Sequence, residues 1–144
     1  MTTTAILGIT IPDDTDLVKD GASAIRTVGN GFDDALAKLT LNAQTASYTV
    51  VLTDNRNKLV TMSVAGANDF LIPTNASVAF PIGSVINVIQ IGAGTTTIKA
   101  VTSGTTTISS TGATAAEPDL RAQFSAASCI KVATDIWYVV GDIA

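Results

Sequence analysis

The stretch that decides the fold is VINVIQI, at residues 85–91. Five of its seven residues are Val or Ile, which favour the pleated surface of a sheet. A nearly continuous apolar run of this length predicts a strand buried on both of its faces. The most apolar run, residues 80–93, includes this strand. Because that run contains Asn87 and Gln90 and is too short to span a bilayer, we expect no membrane insertion.

On both sides of this strand, from Tyr48 onward, the apolar residues recur with a period of two, which is the period of a half-buried strand. Turn residues separate the runs, and a hairpin is predicted around Thr134-Asp135. Two echoing segments, GTTTI at residues 94–98 and at 104–108, predict threonine ladders between paired strands. Residues 41–144 are therefore predicted to form a β knob, an antiparallel sandwich or barrel-like domain. Its strands are expected at 48–52, 58–64, 70–72, 78–80, 85–91, 95–98, 105–108, 128–133 and 136–140.

Residues 17–40 show helical periodicity instead. Apolar side chains recur every seven residues, at Val18, Ile25, Phe32 and Leu39. The other core positions between them are taken by Ala22, Val28, Ala35 and Leu36. Three heptads with this spacing predict a short helix that packs on copies of itself as a trimeric bundle. The alternative is one amphipathic helix covering its own sheet. The glycines of Gly29-Asn30-Gly31 are expected to weaken the helix and to divide it into two pieces.

Residues 1–16 are predicted to form an extended attachment arm. The arm ends in PDDTD at residues 12–16, and Pro12 favours extended geometry in the residue before it. The acidic residues that follow suit the N-cap of a helix, since a calcium loop would need a glycine and a distal glutamate that are missing. Too few large apolar side chains are present for a core, so the arm is expected to anchor on a partner through Ile6, Leu7, Ile9 and Ile11.

The composition restricts the classes of function. The chain has 144 residues, a formal net charge of −4, 47% hydrophobic and 14% charged residues. This is a one-domain length, too apolar for a disordered chain and poor in surface charge. The eight basic residues are scattered rather than arranged in a stripe, so nucleic-acid binding is not expected. No basic residue precedes Lys19, which argues against a signal peptide and for synthesis in the cytoplasm.

The residues needed for catalysis or metal binding are scarce. The sequence contains no His, one Glu and one Cys. Cys129 has no base to activate it and is expected to be a buried thiol. A glycan-cleaving module built on Asp33, Asp34 and Glu117 is a remote alternative, because the adjacent aspartates suit a solvated helix face better. We therefore predict no enzyme activity, no cofactor and no metal.

Several segments together resemble a known class of protein. The segment LGITIPDDTDLVKDGASAI at residues 7–25 is similar to N-terminal attachment segments of tailed-bacteriophage fibre and minor tail proteins. YTVVLTD at residues 48–54, NASVAFPIGS at 75–84, IQIGAG at 89–94 and IWYVVGDI at 136–143 resemble a small β knob of phage fibres and accessory virion proteins.

This resemblance implies a non-enzymatic homotrimer on the virion surface, made in the host cytoplasm and docked through its arm on another virion protein. Two assignments are open: a capsid decoration protein or short head fibre, which the compact length favours, and a tail-attached short fibre or receptor-binding knob for host adhesion. The second would take a host surface glycan or protein as partner and would expose aromatics. Tyr48, Trp137 and Tyr138 are available, although Trp137 is expected in the core.

Overall fold

The computed structural model describes residues 2–3, 10–11, 20–112 and 114–144. Contacts divide the chain into two compact units, Met1–Thr40 and Leu41–Ala144. The predicted arm residues Ile6, Leu7 and Ile9, the proposed cap residues at 13–16 and Val18 all lie outside the described residues.

The first unit contains one long helix, α1, which spans Gly21–Ala37. Strand β1 (Thr2–Thr3) pairs antiparallel with β2 (Thr10–Ile11). The helix runs without interruption through Gly29-Asn30-Gly31, so the prediction of two pieces was wrong. Glycine lowers helix propensity but still donates its backbone hydrogen bond and clashes with nothing, which is why the helix continues. It ends before Lys38, whose backbone is extended.

The second unit is mainly β, as predicted, and is built on two sheets. The three-stranded sheet has the order β4-β6-β8, and the six-stranded sheet has the order β3-β5-β7-β10-β11-β9. A short 3-10 helix spans Leu52–Asn55. The strands are β3 (Thr40–Gln44), β4 (Tyr48–Thr49), β5 (Lys58–Met62), β6 (Asn68–Ile72), β7 (Val85–Gln90), β8 (Thr96–Ala100), β9 (Thr107–Ser109), β10 (Ala126–Ala133) and β11 (Ile136–Gly141).

The strand order corrects the expectation of an antiparallel knob. From β4 to β9, successive strands alternate between the two sheets, so the chain returns to each sheet by a crossover. Strands joined by such a crossover are parallel, as in the pairs β4–β6, β5–β7 and β6–β8. Antiparallel pairing is found where β10 and β11 form the predicted hairpin and where β10 pairs with β7. The hairpin lies between β7 and β9.

Two local predictions were also wrong. The echoing threonine segments form β8 and β9, which belong to different sheets and do not pair, so no threonine ladder joins them. Residues 78–80 are outside any strand.

The Gly92 and Gly94 pair has a packing role in this knob. A Cβ on Gly92 would lie 2.2 Å from the carbonyl oxygen of Val64, and one on Gly94 would lie 1.9 Å from that of Gly66. Successive turns of the chain therefore approach more closely here than any side chain would permit.

The core lies between the two sheets and contains the inward-facing residues of both. Trp137 and Phe80 form a T-shaped pair with ring centroids 5.4 Å apart, and Trp137 is buried as predicted. The fifteen buried members are Val50, Val60, Met62, Phe70, Ile72, Phe80, Ile86, Val88, Ile98, Ile108, Leu120, Ala127, Cys129, Trp137 and Val139. Strand β7 is buried on this inner face, but Val85 on its other face is exposed, which corrects the prediction that both faces are buried.

Candidate interaction surfaces

Helix α1 carries an exposed apolar face. Ile25, Phe32 and Leu36 are seven and four residues apart and therefore project from one side of the helix. They are 71%, 46% and 77% exposed. Leu39, which was predicted to continue this row, lies beyond the end of the helix at Ala37 and is also exposed. Leu36 takes its place as the last large apolar side chain of the helical row.

The exposed row is unfavourable for an isolated chain in water. Full burial of a side chain of this size contributes about 1.5–3 kcal/mol. A helix of this length gains most of its stability from packing rather than from its own propensity. The row is therefore an exposed apolar surface of the kind found at protein interfaces.

The outer face of the six-stranded sheet is a second uncharged surface, which we call the apolar face. The strand register places Val85, Ile130 and Tyr138 side by side across three strands. Val140 lies in the next row, where its cross-strand partner is Ser128. The described outward-facing residues of β5, β7, β10, β11 and β9 carry no charge. They are Leu59, Thr61, Val85, Asn87, Ile89, Ala126, Ser128, Ile130, Val132, Ile136, Tyr138, Val140, Thr107 and Ser109.

The outer face of the three-stranded sheet, which we call the polar face, is different. The Lys99 ammonium lies 2.9 Å from the Asp69 carboxylate, and this hydrogen bond raises the pKa of Lys99. The Thr97 hydroxyl donates to Asp119 at 2.6 Å. These side chains are partly exposed and paired with one another, as expected of a surface that meets water.

A polar network joins the edge strands of the two sheets. The Asp54 carboxylate is fully buried and accepts hydrogen bonds from the Tyr48 hydroxyl at 2.8 Å, the Asn42 amide at 2.9 Å and the Val51 backbone N–H at 2.8 Å. The Lys58 ammonium is 3.7 Å away. Burial, followed by the hydrogen bond to Asp54, raises the pKa of Tyr48. Tyr48 is thus held in a structural network.

The candidate catalytic groups are divided between the two units, with Asp33 and Asp34 in the first and Glu117 and Cys129 in the second. Asp33 and Asp34 are exposed on the helix, where Asp34 pairs with Lys38 at 3.4 Å. Glu117 borders a cleft of about 190 Å³ lined by hydroxyls and backbone. Cys129 is buried as predicted, and burial raises the pKa of its thiol to about 12, so the reactive thiolate is not formed near neutral pH.

A second cleft, of about 370 Å³, lies at the edge of the apolar face. It is lined by Ser109, Ser110, Thr111 and the residues from Tyr138 to Val140. Tyr138 is half exposed and is the aromatic side chain of the three predicted ones that a ligand could contact.

Among the described residues, no three potential metal ligands of the His, Cys, Asp or Glu type cluster together. No helix in the same part of the chain has the length and apolar character needed to cross a membrane. Of the predicted arm anchors, Ile11 lies in β2.

Comparisons with known proteins gave no match to a family model, to a characterised protein or to a solved structure.

Sequence reasoning missed the apolar face as a unit. The alternation that marks its members is visible in each strand, but the sequence does not reveal which strands are neighbours. The Thr-rich segments were predicted to form paired strands instead, although Thr97 belongs to the polar face.

Proposed function

We propose that this protein is a non-enzymatic structural component of a bacteriophage virion, assembled as a homotrimer. The observation that carries the assembly is the exposed row of Ile25, Phe32 and Leu36 on α1. Three copies of α1 pack through this row, and the knobs contact each other through the apolar face. The number three comes from the heptad spacing and from the resemblance to phage knobs.

The arm, residues 1–16, docks the trimer on another virion protein, and Ile6, Leu7, Ile9 and Ile11 supply its anchors. Extended backbone added to a partner's sheet edge gains main-chain hydrogen bonds. The first candidate for its role is a capsid decoration protein or short head fibre, displayed on the virion surface.

Light scattering on purified protein tests the assembly. We expect a trimer at micromolar concentration, and we expect Ile25→Asp to dissociate it because a carboxylate confined in an apolar seam is costly. Thr27→Asp on the same helix, outside the row, is the matched control and should leave the mass unchanged. A stable wild-type monomer would contradict the proposal.

A binding assay with virions that lack this protein tests the docking. A chain without residues 2–12 should remain a trimer but no longer bind particles. Immunogold microscopy then distinguishes a head from a tail location. Wild-type occupancy by the truncated chain would show that attachment does not use the arm.

A second candidate, a tail-attached receptor-binding knob, is favoured by the cleft beside Tyr138, where an aromatic ring adjoins hydroxyls that suit a sugar. Thr111→Trp, which fills the cleft from a position outside the apolar face, distinguishes the two functions. If it abolishes binding to host cells while the trimer and particle binding are intact, the knob is an adhesin.

A further inference from the structure

The knob contains a buried lysine whose amine contacts an asparagine side chain. Lys131, on the inner face of β10, is 2% exposed. Its Nζ donates to Oδ1 of Asn75 at 2.5 Å and to the backbone carbonyl of Phe80 at 2.7 Å. Both acceptors are neutral, which is unusual because buried ammonium groups are ordinarily paired with a carboxylate.

The surroundings hold both partners in place. The backbone N–H of Lys131 donates to Ser84, and its carbonyl accepts from Gly83. The backbone N–H of Asn75 donates to Oδ1 of Asp135 at 2.6 Å. Asp135 sits in the turn between β10 and β11, and its carboxylate also accepts from the Thr106 hydroxyl at 3.3 Å. The Lys131 amine therefore contacts the Asn75 carboxamide, and the Asp135 carboxylate lies beside the backbone of Asn75.

The amine lies on the buried side of this cluster, whereas Asn75 and Asp135 are partly exposed. Trp137 lies opposite Lys131 in the strand register and is 1% exposed, and its ring contacts that of Phe80. Removal from water disfavours the ammonium form, so burial lowers the pKa of Lys131 against the opposing effect of the Asp135 charge. A neutral amine is a nucleophile, whereas an ammonium is not.

We propose that Lys131 and Asn75 join spontaneously in an intramolecular amide bond once the knob has folded. The Lys131 amine attacks Cγ of Asn75, and the bond between Cγ and Nδ2 breaks. Asp135 carries a proton from the attacking nitrogen to the departing one, which leaves as ammonia. One amine and one carboxamide thus give one secondary amide and one ammonia, with no oxidant or cofactor.

The core supplies what this reaction needs. The fold holds the reacting groups in contact before the chemistry starts, so the reaction avoids the entropy cost of bringing them together. Burial of the Lys131 side chain favours the uncharged, nucleophilic form of its amine. The bond would join β10 to the loop after β6, across 56 positions of the sequence.

Intact-mass spectrometry of the denatured wild-type protein tests the proposal. We expect a mass lower than the sequence mass by one ammonia, and for Lys131→Arg and Asn75→Ala the full mass of each sequence. Lys58→Arg, which removes a lysine paired with Asp54, is the matched control and should retain the loss. A folded wild-type protein at full sequence mass would overturn the proposal and leave the contact as a hydrogen bond only.

Peptide mapping excludes the other source of the same mass change. A cyclic imide at an asparagine also loses ammonia, but it would persist in Lys131→Arg and would give no branched peptide. We expect a branched peptide linking the fragments that contain Lys131 and Asn75. Loss of ammonia without that peptide would overturn the proposal.

The role of Asp135 has its own test. Asp135 has a φ of +54°, a conformation that asparagine also tolerates, so Asp135→Asn should preserve the turn. We expect the crosslinked fraction after purification to fall at least several-fold while circular dichroism is unchanged. Complete crosslinking in this variant would overturn the assignment of the proton transfer to Asp135.

Discussion

The two outer faces of the knob are built from strands of similar length, yet they differ in chemistry. The polar face carries the Lys99–Asp69 ion pair and the Thr97–Asp119 hydrogen bond. The apolar face carries no charge on its described strand residues, and Val140 and Tyr138 are 53% and 49% exposed. A sheet that meets water on one side is ordinarily polar on that side.

The comparison shows that strand alternation has two distinct uses in this chain. On the three-stranded sheet it separates a core from a solvated surface. On the six-stranded sheet it separates a core from an uncharged outer layer, and exposed layers of this kind are common at interaction sites. We interpret that contact as the one between knobs in the proposed trimer.

The largest effect is expected when a charge is placed on each outer face of the knob in turn. We expect Val140→Asp to dissociate the trimer, because a carboxylate enclosed in an apolar contact costs several kcal/mol and each 1.4 kcal/mol is about a tenfold change in the dissociation constant. Sedimentation over a concentration series measures the effect.

Thr49→Asp, on an exposed position of the polar face, is the control for that experiment and should leave the trimer intact. If both variants remain trimeric with the same dissociation constant, the apolar face is not the contact between knobs.

A second test addresses the network that joins the edges of the two sheets. Tyr48→Phe removes one of three hydrogen bonds to the buried Asp54 carboxylate. Because a buried acceptor loses a donor, we expect the free energy of unfolding to fall by about 1–3 kcal/mol in urea melts. An unchanged midpoint would mean that the network does not stabilise the pairing of the edges.

A third test uses pH. The outward-facing strand residues of the apolar face include no carboxylate, so this face should not respond to pH. Hydrogen bonds from Arg121 and then from Ser125 lower the pKa of Asp142 below its ordinary value of 3.8. A lowered folded-state pKa contributes stability above the unfolded pKa, and this contribution is lost as pH falls through the folded value. The melting temperature of wild type should therefore approach that of Asp142→Asn below about pH 4. A constant difference in melting temperature between wild type and Asp142→Asn from pH 5 to pH 2 would contradict this prediction.

The smallest effect is expected on the polar face itself. Lys99→Met removes a surface ion pair, and such pairs contribute little because solvent screens them. We expect a melting temperature close to wild type, with any difference disappearing in 1 M salt, where the screening length is about 3 Å. The trimer should persist in the same buffer, and a large salt-sensitive loss would mean that the ion pair is enclosed in an interface.

Much of the fold followed from local pattern. The hairpin of β10 and β11, the burial of Trp137 and Cys129 and one helix before a β unit are all readable from periodicity and turn residues. Parallel pairing could not be predicted from the sequence, because each strand has the same alternation of apolar and polar residues whichever strand it pairs with. The continuity of α1 through Gly29 and Gly31 was missed, since propensity penalises glycine without forbidding it.

The candidate sites were less predictable than the fold. The helical spacing of Ile25, Phe32 and Leu36 was visible in the sequence, whereas Leu39 lies beyond the helix because helix ends depend on cap geometry. The Lys131 cluster was invisible, since Asn75 and Asp135 are 60 residues apart and meet only through the crossover topology.

The position of the hairpin between β7 and β9 has a consequence for the order of events in folding. Residues 126–141 fill a gap between strands that precede them in the chain. A growing chain therefore holds two unpaired sheet edges apart until these residues leave the ribosome, and the sheet closes in a late, long-range step. Such steps are slow, and open edges are prone to join with other chains. Folding of this knob is thus expected to be timed by the emergence of residues 126–141 rather than by the first strands to emerge.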